Sequence, residues 1–155
     1  MRPLRIATIG VLAAALLVAG CSKQDPAPVP ASCVGEPMTL AAAIARAPGP
    51  VTLQDGTRLS RCVATARSDG DLQSLGISLG RLADSLRARA GTEPDAALQL
   101  GYLAGAVRLG ARRAGGNIAD QLARRMTQLA ALPAEASAAS VAALARGARA
   151  GESTG

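Results

Sequence analysis

A chain of 155 residues with sixteen arginines, one lysine, eleven acidic side chains and no histidine carries a formal charge of +6. The missing histidine excludes Ser-His-Asp and Cys-His nucleophilic mechanisms and imidazole metal sites. One tyrosine, with no tryptophan or phenylalanine, leaves no aromatic platform for sugars or for single-stranded bases, so no nucleic-acid partner is expected.

The chain opens with Arg2 and Arg5, an apolar run from Ile6 to Leu17, and then the small residues Val18-Ala19-Gly20 before Cys21. A basic start, a short apolar middle and small residues at the cut form a secretory signal layout. The apolar part falls short of the ~20 residues of a transmembrane helix. Leu17-Val18-Ala19-Gly20-Cys21 resembles the lipobox of bacterial prolipoproteins. That resemblance covers residues 1–21 and implies cleavage before Cys21, with lipidation of that cysteine. Several acyl chains on one residue hold a protein at a membrane without a protein span. Residues 1–20 are thus read as signal peptide and 21–32 as a tether whose prolines, Pro26, Pro28 and Pro30, favour an extended spacer of about 3.1 Å per residue. The domain expected to follow spans 33–150. Without the signal, fifteen basic residues face eleven acids, a formal charge of about +4; arginine excess suits phosphate or carboxylate partners or simply a solvated surface.

Export makes Cys33 and Cys62 candidates for a disulfide, closing a loop of about 30 residues and stabilising by on the order of 3 kcal/mol. Between them, Thr39 to Ala47 reads as a helix capped by Thr39 and stopped by Pro48-Gly49-Pro50. Val51 to Leu53 could be extended, Gln54-Asp55-Gly56-Thr57 is a turn signal, and residues 51–66 are open between helix and strand. Helix is favoured from Arg58, because Leu59, Cys62, Val63 and Ala66 share a face.

The clearest helix starts at Asp69, with Leu72, Leu75, Leu79, Leu82 and Leu86 in one stripe, and ends at Gly91. Ile77 lies off that stripe and calls for a second contact. Thr92-Glu93-Pro94-Asp95 signals another start, with Thr92 as cap. The helix it opens is apolar on two sides, Leu98, Tyr102 and Leu109 against Leu100, Leu103, Val107 and Ala111, and is read as central. A third stripe, Gly101, Gly105, Arg108 and Arg112, is either tight packing beside solvated arginines or a docking groove that ends in anion-binding guanidiniums. After Gly115-Gly116, with Asn117 as cap, Ile118, Leu122, Met126, Leu129 and Leu132 form the next stripe. Residues 135–149 are helical by composition with weak docking signals, and 151–155 are expected to be a disordered tail.

Little chemistry remains. The only lysine, Lys23, is in the tether, and Asp69 and Asp71 sit where a helix favours acidic caps. No glycine-rich phosphate loop follows a predicted strand. The expectation is an all-α bundle of four or five short helices with one disulfide, neither an enzyme nor a holder of metal or cofactor. Its expected place is extracytoplasmic, lipid-anchored to the cell membrane, or to an outer membrane where one exists. Its expected role is binding or scaffolding an envelope protein, with arginine-based binding of phosphate-bearing lipids or envelope polymers as the alternative.

Overall fold

Eight consecutive helical positions, Leu100 to Val107, are buried, and the other elements are arranged around them. The structure, a computed structural model, describes residues 28–155; the expected signal peptide, Cys21 and the expected tether through residue 27 lie outside the described residues. Among the described residues there are six α-helices, one 3-10 turn and no strand. The elements are the 3-10 turn Ala31–Val34, α1 (Pro37–Ile44), α2 (Leu59–Thr65), α3 (Asp69–Ala90), α4 (Pro94–Ala114), α5 (Asn117–Leu129) and α6 (Ala138–Thr154). The count exceeds the expected four or five because the short segments 37–44 and 59–65 and the C-terminal segment all fold as helices.

Helix starts follow proline and serine chemistry more than the expected caps. Ser68 and Asp71 form a capping box at α3: the Ser68 hydroxyl accepts from the Asp71 amide at 3.1 Å, and the Asp71 carboxylate accepts from the Ser68 amide at 3.1 Å. Ser137 caps α6 by accepting from the Ser140 amide. Thr39, Thr92 and Asn117 cap nothing; the N-cap positions are Glu36, Glu93 and Gly116. Pro37 and Pro94 bring a preset φ and no amide to satisfy, so α1 and α4 begin at them without a side-chain cap.

Residues 51–58 are neither helix nor strand. Val51 and Leu53 are buried, an isolated antiparallel bridge joins Thr52 and Arg58, and Gly56 turns the chain at φ +79°. α2 follows, with Leu59, Cys62, Val63 and Ala66 all buried, as their spacing predicts. Cys62 is bonded to Cys33, with Cα atoms 5.5 Å apart. The domain begins before residue 33: Val29 packs on the core and the Cys33 amide donates to the Pro30 carbonyl.

α4 packs against α2, α3, α5 and, most extensively, α6. Glycines make the α4–α6 approach possible. A Cβ at Gly101 would collide with the Leu144 carbonyl, and one at Gly105 with the Ala148 carbonyl. The relation is reciprocal, since a Cβ at Gly147 would strike the Leu98 carbonyl and one at Gly151 the Tyr102 carbonyl. The two backbones are in direct contact along this seam. The expected disordered tail is therefore helix: α6 runs to Thr154, and Gly151 and Gly155 are buried. The small residues that suggest a flexible end are the surface that meets α4. On the other side, Gly110 lets Ser60 and Val63 of α2 approach in the same way.

Tyr102 is fully buried in this centre. Its hydroxyl accepts from the Val51 amide at 3.0 Å and shares a hydrogen bond with the Thr154 hydroxyl at 3.2 Å, so one side chain joins the 51–58 loop, α4 and α6.

Candidate functional site

The stripe Gly101, Gly105, Arg108 and Arg112 divides. Its glycine half is covered by α6, so Gly101 and Gly105 are packing residues and line no open groove. Its arginine half emerges where α4 leaves α6 and faces α5. There Arg108, Arg112 and Arg124 border an open groove of about 480 Å³, with Ala111 and Ala123 as apolar floor and Asp120, Thr127 and Gln128 on the α5 side. Arg124 belongs to the next helix and is invisible to a stripe read along α4.

The three guanidiniums differ in freedom. Arg108 is part-buried; its Nε donates to Glu152 of α6 at 2.7 Å and its Nη1 to the Thr127 hydroxyl at 3.4 Å. It therefore ties α4, α5 and α6 together while keeping an edge on the groove. Arg112 and Arg124 are exposed, and among the described residues neither is paired with a carboxylate. Arg112 and Arg113 also lie in the last turn of α4, where positive charge offsets the helix dipole.

A second groove, of about 730 Å³, opens on the α2 side. Arg58, Arg61, Arg67 and Arg113 line it, with Asp55 as its one acid. Asp55 is held ionised by local donors: the Thr57 amide at 2.9 Å and the Ser32 hydroxyl at 2.8 Å lower its pKa below the ordinary 3.8. Arg113 donates to the Ser60 hydroxyl at 3.2 Å, and Ser60 in turn donates to the Gly155 carbonyl. No sequence periodicity links these arginines, since they come from a turn, a short helix, a linker and the end of α4.

A third, shallower groove lies between α3 and α5, edged by Ile77 and Ile118. Both are about half exposed, so the second contact expected at Ile77 is not made within the described residues. Asp69 and Asp71 lie in the first turn of α3. Among the described residues no three His, Cys, Asp or Glu side chains converge as metal ligands, and no helix is long and apolar enough to cross a membrane.

Comparison of the chain with protein-family models, curated proteins and solved structures finds no match.

Proposed function

We propose that the chain is a lipid-anchored, non-enzymatic envelope protein whose helical domain binds an acidic segment of a protein partner in the α4–α5 groove. The observation that carries this reading is the pair Arg112 and Arg124: two exposed guanidiniums from different helices, uncompensated by ion pairs among the described residues, over an apolar alanine floor. Such a lining suits a peptide that offers carboxylates to planar forked donors and small side chains to the floor. The lipobox resemblance at Cys21 supports the anchor, and a disulfide is at home in an exported chain. The absence of histidine from the sequence supports a binding role over an acid–base one.

The test is photocrosslinking from position 128, on the groove rim, in the native envelope. The expected result is one dominant captured protein, lost in the Arg112→Gln/Arg124→Gln variant and retained in Arg87→Gln on the exposed face of α3. Capture that survives the double arginine variant would overturn the groove assignment.

A further inference from the structure

We propose that the arginine groove on α2 is a bilayer-docking surface that takes the phosphate-bearing headgroups of anionic phospholipids. The inference rests on the lipid-anchor reading above and concerns a different surface from the partner groove.

Charge is the first reason. Arg58, Arg61, Arg67 and Arg113 share one open groove, and among the described residues none of them is ion-paired. The single carboxylate there, Asp55, is already engaged by the Thr57 amide and the Ser32 hydroxyl. Forked guanidinium donors suit phosphate oxygens better than point charges do.

Position is the second reason. The groove lies beside the first described residues, on the side of the chain that leads back in sequence to Cys21. Ser32, at the end of the tether, bonds to Asp55 on the groove wall, and the Cys33–Cys62 disulfide fastens the next residue to α2 beside Arg61. Ser32 lies eleven positions after Cys21; at about 3.1 Å per residue a spacer in the polyproline conformation holds this edge within ~35 Å of the anchoring lipid. An edge held that close to the lipid can bring its arginines within the ~10 Å screening length of an anionic surface. Two exposed apolar side chains follow Cys33 closely in the chain: Val34, and Met38 at 84% exposure. Acyl chains joined to a basic patch form the two-signal arrangement that makes membrane attachment stable.

The experiment uses the full acylated chain in vesicles of phosphatidylcholine alone or mixed with phosphatidylglycerol. A photocrosslinking residue is placed at Thr65 on the groove or at Ser85 on the exposed face of α3, and acylation is read separately with a fatty-acid label. Expected is phosphatidylglycerol crosslinking from position 65 that exceeds position 85 by roughly tenfold, given the usual attraction of several basic residues to an anionic leaflet. It should fall with salt and in the Arg58→Gln/Arg61→Gln/Arg67→Gln variant, which spares the Ser60-bonded Arg113. Equal crosslinking from both positions, or no preference for phosphatidylglycerol in a labelled chain, would overturn this surface and leave the anchor intact. A chain that takes no fatty-acid label overturns the anchor reading and this inference with it. Loss of the signal on adding inorganic phosphate at matched ionic strength would reassign the groove to a soluble anion.

Discussion

Tyr102 is the only aromatic residue in the chain, and its buried hydroxyl is engaged as well as its ring. Removing that hydroxyl leaves the buried Val51 amide without its acceptor, a loss of about 1–3 kcal/mol. Tyr102→Phe should therefore lower the thermal midpoint by several degrees while circular dichroism still reports full helix. Asp71 makes a contrasting case on the surface. The Arg67 amide, then the Ser68 hydroxyl and the Ser68 amide, draw its pKa below 3.8. A folded value below the unfolded one means that the capping bonds stabilise the ionised form. Their contribution is complete above the unfolded value and is lost as pH falls through the folded one. Asp71→Asn should flatten the loss of stability below about pH 4, measured by urea denaturation across that range; an unchanged acid limb would show that another carboxylate governs it.

Glycines behave differently according to the element they face. Gly147 of α6 meets the α4 backbone, which cannot rotate aside as a side chain would. Gly147→Ala should force the two helices apart and cost about 1–3 kcal/mol or more. Gly80, within α3, is also buried, yet a Cβ there would meet nothing within 4 Å. Gly80→Ala should instead raise stability by roughly 0.5–1 kcal/mol through helix propensity. Chemical denaturation of both variants separates the two cases, and equal effects would remove the glycine seam as a stabilising device. α3 itself was legible from its leucines, because one stripe facing one core obeys the 3.6-residue period. The Gly101–Gly105 spacing also marked close packing, and the matching Gly147, Gly151 and Gly155 stood at the same interval of four. Their partnership was not legible, since periodicity names a face and is silent about what covers it.

The Cys33–Cys62 bond spans 29 positions and joins the 3-10 turn at the start of the described domain to α2. A loop of that length contributes roughly 3–4 kcal/mol in the chain-entropy model. The Cys33→Ser/Cys62→Ser variant should therefore unfold at distinctly lower denaturant, with a somewhat steeper slope because the uncrosslinked unfolded chain exposes more surface. The anchor is tested at its own residue: Cys21→Ser should abolish fatty-acid labelling, and equal labelling of wild type and variant would sink the lipobox reading.

All-helical class, the helix α3, the centrality of α4 and the pairing of two cysteines were already written in local order. Each depends on spacing along the chain or on residue types that have few alternatives. The folding of residues 151–155 onto α4, the burial of Gly101 and Gly105, and the division of the arginines between two grooves were decided only in three dimensions. A residue without a side chain leaves no hydropathy trace of its contact, and guanidiniums from separate helices converge only when packing brings their backbones together. The docking stripe read along one helix thus became half core seam and half groove, because α6 covers the glycines and stops short of Arg112.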